Sequence, residues 1–307
     1  MDDAYAILRY EQAAELLPLR WRQIAFRGPR QMKAEAEEFR LRAGKPLTVL
    51  LPEGERLLTE EMPQPTVTQS DLEQLCDTAT GYSRYASGDT LSRGYLTARG
   101  GFRVGICGTA VMRDGINTNL RDFSSAAIRI GREHIGVGER IISRLWENGS
   151  FQGTLILSPP GLGKTTLLRD LVRLLSDGTD KLPPQRVAVV DERGEIAVMV
   201  QGVPQMDVGS HTDVLDGCPK AVGIPILLRS ANPQIIAVDE ITASEDLQAM
   251  TAAANCGVQM LATIHAADRK ELERKPLFAA VAAAGVFSRC VTISSSGGRR
   301  CYEVTHL

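Results

Sequence analysis

Aromatic residues are scarce, 5% of 307 positions, and they form no stripe on which bases could stack. An excess of charge is also missing: 35 Lys and Arg stand against 37 Asp and Glu, a formal net charge of −2. Together these absences argue against a chain built mainly to bind nucleic acid. The six cysteines (Cys76, Cys107, Cys218, Cys256, Cys290 and Cys301) include no CxxC pair and no histidine at ligand spacing. Neither a zinc site nor a disulfide framework is signalled, and buried free thiols in a reducing cytosol are expected. The first twenty residues carry acid where a secretory signal carries base and contain no apolar run, so no export is expected. The longest stretch free of formal charge, 247–267, is broken by Gln248, Asn255, Gly257, Gln259 and His265. It reads as a helix followed by a buried strand, not as a membrane span. The chain is expected in the cytoplasm.

Apolar residues make up 43% and charged residues 23%, so a sizeable core is available. At roughly 150 residues per domain, two domains are expected. The pattern places them at 1–135 and 136–307. Residues 1–25 read as a helix with Leu16, Leu17, Leu19 and Trp21 on its apolar side, ended by FRGPR at 26–30 and followed by a short linker. FRLRAGKPLTVLLPEGERLL (39–58) alternates like strands about a Pro-Glu-Gly turn, 70–82 reads as a capped helix, and 94–119 as successive hairpin strands. This is an α+β domain. Its tail, 84–132, holds eight arginines and three acids, a local charge of +5 hidden in the neutral total. For any one of them a solvated strand face is the simpler reading.

From residue 136 apolar strands alternate with helices. TLILS (154–158), RVAVVDE (186–192), IIAVDE (235–240) and VQMLATI (258–264) are the strands, with helices at 164–176 and 245–257. Such alternation predicts an α/β domain whose mainly parallel sheet is covered on both faces. A broken helical run around Pro276 and a terminal hairpin complete it.

Between the strand at 154–158 and the helix that follows lies SPPGLGKTT. A glycine-rich turn at a helix N-terminus presents unpaired N–H groups to phosphate. Ser158, Pro159, Pro160, Gly161, Leu162 and Gly163 form the loop. Lys164 is suited to the β- and γ-phosphates, Thr165 to Mg²⁺, and Thr166 to the α-phosphate. Ser158 stands where the usual pattern has glycine. IIAVDE ends in Asp239, a Mg²⁺ ligand through water, and Glu240, which would orient or deprotonate the attacking water. A second acidic strand end supplies Asp191, Glu192 and Glu195. His265 ends the strand after IIAVDE, where a side chain can sense the γ-phosphate.

The order of these four motifs resembles the ATPases that energise type II and type IV secretion, RecA-like P-loop enzymes. In that comparison Lys164 and Thr165 fall on the Walker A loop, Asp191, Glu192 and Glu195 on the Asp box, Glu240 on the Walker B glutamate and His265 on the His box. LLRSANPQIIAVDEI resembles the family's approach to Walker B, which implies Arg229 near the site. Asp239 stands where the family often has glycine, leaving open whether Glu240 or the pair Asp191 and Glu192 activates water. The match is closest to the stage III sporulation protein AA family. It is carried by SPPGLGKTTLLRDLVR, VVDERGEIA, TDVLDGCPKA, RSANPQIIAVDEI, GFRVGICGTAV and RDFSSAAIRIGRE.

The resemblance implies a Mg²⁺-dependent ATP hydrolase at the mother-cell side of a membrane-spanning assembly around a forespore. It also implies a ring-shaped homo-oligomer, a hexamer among the candidates, and a membrane-protein partner. The alternatives are a nucleic-acid motor or loader of the AAA+ type, and a scaffold that binds ATP without significant hydrolysis. Because efficient hydrolysis wants an added positive charge on the γ-phosphate, Arg121, Arg129 or Arg132 is expected to reach nucleotide in its own or a neighbouring subunit.

Overall fold

Two prolines punctuate the N-terminal helices. The computed structural model describes residues 3–60, 62–81, 88–131, 134–274, 276–296 and 299–307. Its first helix, α1 (Asp3–Ala14), stops short of Pro18, which caps α2 (Leu19–Arg27), and Pro29 caps a third helix, α3 (Arg30–Glu35). The single helix and linker expected here are therefore three helices, because proline is well tolerated where a helix begins. Leu16, Leu17 and Trp21 are buried, whereas Leu19 faces solvent.

The chain divides into two units, 1–132 and 133–307. In the first, β1 (Glu38–Arg42), β2 (Thr48–Leu51) and β3 (Gly54–Leu57) join β4 (Tyr95–Ala98), β5 (Phe102–Arg113) and β6 (Ile116–Arg129). They form one antiparallel sheet ordered β3-β2-β1-β6-β5-β4. Helix α4 (Gln69–Ala79) opens on a capping box between Thr68 and Asp71, and α5 (Gly88–Ser92) is a short turn. Tyr10, Trp21, Phe39, Leu41, Leu72 and Phe102 are among the most deeply buried members of this unit's core.

In the second unit a ribbon of β7 (Trp146–Glu147) and β8 (Ser150–Phe151) precedes β9 (Thr154–Ser158) and α6 (Lys164–Asp177). Then come β10 (Val187–Asp191), a second ribbon of β11 (Met199–Val200) and β12 (Val203–Pro204), β13 (Thr212–Asp216) and α7 (Lys220–Ser230). After these follow β14 (Ile235–Val238), α8 (Ser244–Asn255), β15 (Gln259–His265), α9 (Arg269–Arg274), α10 (Pro276–Ala283), β16 (Arg289–Ser296) and β17 (Arg299–His306). The sheet runs β13-β10-β14-β15-β9-β16-β17, parallel except for the edge strand β17.

Successive strand residues point to opposite faces. Leu155, Leu157, Ala188, Val190, Ile236 and Val238 pack on one side with α7 and α8, while Ile156, Val187, Val189 and Ala237 pack on the other with Leu167, Leu168, Leu171 and Leu175 of α6. That two-sided burial makes the strands uniformly apolar and fixes their C-terminal ends on one edge of the sheet. Helix α7 was not expected, since Pro225 lies inside it, and neither was β13, an edge strand of mixed polarity. The thiols also differ from expectation: Cys76 and Cys290 are buried, but Cys107, Cys256 and Cys301 are exposed. Among the described residues no helix is long and apolar enough to cross a membrane.

Candidate functional site

At the C-terminal edge of this sheet β9 delivers the glycine-rich loop to the start of α6. Gly161 and Gly163 have φ of +78° and +93°, a conformation that a side chain rarely adopts. Ser158 is fully buried and lies outside that left-handed region, so its backbone has no need of glycine. Lys164 folds back over the loop, donating to the carbonyl oxygens of Ser158 (3.1 Å) and Pro159 (3.2 Å) and to His265 Nδ1 (2.8 Å). Burial lowers its pKa, and the carboxylates of Asp239 and Glu240 oppose that shift.

Strand β14 ends at Val238, which carries Asp239 and Glu240 to the same edge. Thr165 Oγ1 donates to Asp239 Oδ2 at 2.6 Å, and Thr263 Oγ1 donates to Asp239 Oδ1. The Thr263 oxygen also accepts the backbone N–H of Glu240 (2.8 Å), whose φ is +53°. A glutamate held in that region carries strain of order 1 kcal/mol or more, which its hydrogen bond to a fully buried threonine helps to hold. Glu240 Oε1 meets His265 Nε2 at 2.7 Å, and its Oε2 is bonded by Arg193. Because Lys164 can only donate, Nδ1 of His265 accepts and the ring proton is assigned to Nε2, facing Glu240. A continuous chain thus runs from Lys164 through His265 and Glu240 to Arg193.

The expected acids of the second strand end divide. Asp191 is 2% exposed. Its Oδ1 accepts the N–H of Glu195 (2.8 Å) and its Oδ2 those of Ile196 (3.0 Å), Ala197 (2.8 Å) and Val198 (3.4 Å). Both oxygens hold the loop, in which Val198 has a φ of +53°, so Asp191, one of the candidates left open for activating water, occupies a scaffolding position. Glu192 is ion-paired with Lys220, a buried lysine that also lies 4.0 Å from Asp246. Arg169 of α6 donates to the carbonyls of Glu195 and Ile196, both at 2.6 Å, and so ties the phosphate-loop helix to the acidic loop. Asp191, Glu192, Arg193, Glu195, Lys220, Asp239 and Glu240 line one small cleft.

Arg229 does not join them. It is exposed near the C-terminal end of α7, whose N-terminal Lys220 is the end at the site. Ten residues of helix and the run into β14 place it at the opposite edge of the sheet, beside the turn where Gln234 accepts from the Arg186 N–H. Closeness in sequence to Asp239 is thus separation in space. In the first unit Arg121 and Arg129 pair with Asp122 (3.5 Å) and Glu38 (3.2 Å), and Arg132 lies outside the described residues, as does Arg84. Thr263, Arg193, Arg169 and Lys220 were assigned no role from the sequence, although Arg193, Arg169 and Lys220 lie in the segments VVDERGEIA, SPPGLGKTTLLRDLVR and TDVLDGCPKA that carry the family resemblance. Nothing within those segments says which acid or carbonyl each side chain reaches.

The family described as "Sporulation stage III, protein AA" matches residues 8–302. The chain belongs to the stage III sporulation protein AA family. Stage III sporulation protein AA of Bacillus subtilis is 36% identical over 287 residues, covering 94% of this chain and 92% of that one. The protein SEEDLING PLASTID DEVELOPMENT 1 of Arabidopsis thaliana is 32% identical over 170 residues, covering 50% of this chain and 23% of its own. Among solved structures, the pilus retraction motor PilT with bound ADP superposes with a TM-score of 0.59 at 16% identity, covering 89% of this chain and 79% of that one. The ATPase DotB of Legionella pneumophila gives 0.55 at 17%, covering 89% and 76%. At such identity these likenesses establish the fold, that of the RecA-like secretion ATPases. This member of the stage III family therefore carries an α/β P-loop domain behind a smaller α+β unit.

Proposed function

We propose that this chain is a Mg²⁺-dependent ATP hydrolase, a secretion-ATPase-like motor energising a membrane-spanning assembly between mother cell and forespore. The observation that carries this is the 2.6 Å bond between Thr165 and Asp239. It brings the hydroxyl at the head of the phosphate-loop helix against a carboxylate at a strand end, beside Glu240. Those two oxygens suit Mg²⁺, a hard cation usually held by one or two protein oxygens together with substrate phosphates. When bound, Mg²⁺ would neutralise charge on the transferring phosphoryl group.

The chain's own residues do the rest. The loop N–H groups about Gly161 and Gly163 bind phosphate at the start of α6. Lys164 exchanges its loop carbonyls and His265 for phosphate oxygen, a stronger partner for a buried ammonium. Glu240 accepts a proton from the attacking water as the bond from the terminal phosphorus to its bridging oxygen breaks, giving ADP and phosphate. For that Glu240 must slacken its bond to Arg193, and His265, relieved of Lys164, is free to turn its Nδ1 toward the site. Asp191 and Arg169 keep the acidic loop in register with α6.

The family membership supports the sporulation setting, and the fold shared with the pilus retraction motor PilT and the ATPase DotB supports the motor reading, to which a homo-oligomeric ring and a membrane-protein partner belong as parts of the same proposal. The test is steady-state phosphate release from Mg-ATP by the full chain across a range of protein concentrations. Release that is abolished in Lys164→Ala and rises per subunit with concentration is expected. Nucleotide binding without any release, even with membrane partner supplied, would make the chain an ATP-binding scaffold instead.

A further inference from the structure

The C-terminal hairpin overhangs the phosphate loop. Strand β16 pairs with β9 from Arg289 opposite Thr154 to Thr292 opposite Leu157, so the two strands end their shared ladder just before the loop begins. The ladder between β16 and β17 continues to Ser296 opposite Arg299, with Arg300 opposite Ser295. At about 3.3 Å per residue the hairpin extends on the order of 13 Å past that shared ladder. Its far end therefore stands beside the turn that β9 feeds.

Arg300 uses that overhang. A Cβ built on Gly163 would lie 3.1 Å from Arg300 Nη1, 3.2 Å from its Cζ and 3.6 Å from its Nε, so the guanidinium covers the last glycine before Lys164. A side chain at Gly163 would press on the guanidinium as well as strain a backbone held at a φ of +93°. Arg300 is exposed, and among the described residues no carboxylate neutralises it. Arg193 differs in being spent on Glu240. Arg300 is thus a second guanidinium at the loop, held at the stretch of backbone whose N–H groups face phosphate and left with its charge uncompensated. An unpaired planar cation in that place matches the chemistry of a polyphosphate.

We propose that Arg300 is a catalytic residue acting in cis, binding the terminal phosphates of the nucleoside triphosphate held by its own chain and stabilising the charge that develops in phosphoryl transfer. The proposal rests on the nucleotide-hydrolase reading given above. It makes the C-terminal hairpin part of the active site. It also removes the need for an arginine of the first unit or of a neighbouring subunit at this position, although the ring can still serve the motor.

The experiment compares the full-length wild type with Arg300→Ala, Arg300→Lys and Lys164→Ala, reading Mg-ATP turnover and Mg-ADP affinity. Arg300→Ala is expected to lower kcat by about 10³-fold, the size of an arginine acting on the transition state, with Mg-ADP affinity changed by less than about fivefold. Arg300→Lys is expected to remain within about tenfold of Arg300→Ala, because an ammonium cannot make the forked contact. Mixed oligomers of Arg300→Ala with Lys164→Ala are expected to stay inactive, since each chain lacks a part of its own site. Turnover of Arg300→Ala within about threefold of wild type would overturn the proposal and leave the hydrolase reading standing. Recovery of turnover on mixing the two variants would overturn it also, by showing that the arginine acts in trans. Failure of the wild type to bind Mg-ATP would remove the nucleotide reading, and this proposal with it.

Discussion

Lys164 Nζ lies 2.8 Å from His265 Nδ1, joining the first residue of α6 to the last residue of β15. These residues stand 101 positions apart, and they meet because β9 and β15 are adjacent parallel strands in which Ser158 is opposite His265. The lysine rests on the histidine, and the histidine rests on Glu240. In the proposed reaction phosphate competes for Lys164 and, in doing so, frees the far end of the chain. Substituting His265 by Ala removes this link while leaving the loop N–H groups in place. Turnover of Mg-ATP is expected to fall by about 10²-fold, with Mg-ADP affinity nearly unchanged, in single-turnover and equilibrium measurements made side by side.

Thr263 supports both acids with one hydroxyl. Removing it in Thr263→Val, which keeps the side-chain shape, leaves Asp239 without its buried donor and the Glu240 N–H without its acceptor. The Mg²⁺ concentration that half-saturates nucleotide binding is expected to rise about 10- to 100-fold, the usual result when the support of a metal ligand is lost. A titration of fluorescent-nucleotide binding against Mg²⁺ checks it.

Asp191 is expected to report on stability. Asp191→Ala strands four loop N–H groups and should cost about 3 kcal/mol in urea unfolding, while Asp191→Asn, which retains one acceptor oxygen, should cost less. A loss of turnover with unchanged unfolding would instead return Asp191 to the chemistry.

The motifs that bear chemistry were legible in the sequence because each is local. A short apolar strand followed by a glycine turn, an acid pair or a histidine places its polar residues at a strand end by chain connectivity alone. What was illegible is what the sheet order brings together. Arg193 reaches Glu240 because β10 and β14 are neighbours, Thr263 reaches Asp239 because β14 and β15 are, and Arg300 reaches Gly163 because β16 lies beside β9. None of these pairs is near in sequence. Arg229 failed in the opposite sense, being only ten positions from Asp239 yet at the far edge of the sheet. Helix α7 was hidden by Pro225. The helix that follows Pro29 was hidden by the expectation that FRGPR leads into a linker.

The lowered pKa of Lys164 gives a pH dependence of definite sign. Its folded value lies below the ordinary 10.5, first because burial disfavours the ammonium. Between the two values the unfolded chain holds a proton that the native chain has released, so stability rises with pH across that alkaline window. Phosphate beside Lys164 favours the charged form, so nucleotide binding in that window is expected to take up protons. Calorimetric titrations in buffers of different ionisation enthalpy measure the uptake, and Lys164→Met should abolish both effects.

Glu240→Gln tests the central claim most directly. Gln keeps the length of the side chain and its capacity to hydrogen-bond His265, but it cannot accept the water's proton. Mg-ATP affinity within about threefold of wild type together with a fall in turnover of at least about 10²-fold is the predicted result. Unchanged turnover in Glu240→Gln would contradict the assignment of Glu240 as the base, and with it the account of how this site hydrolyses ATP.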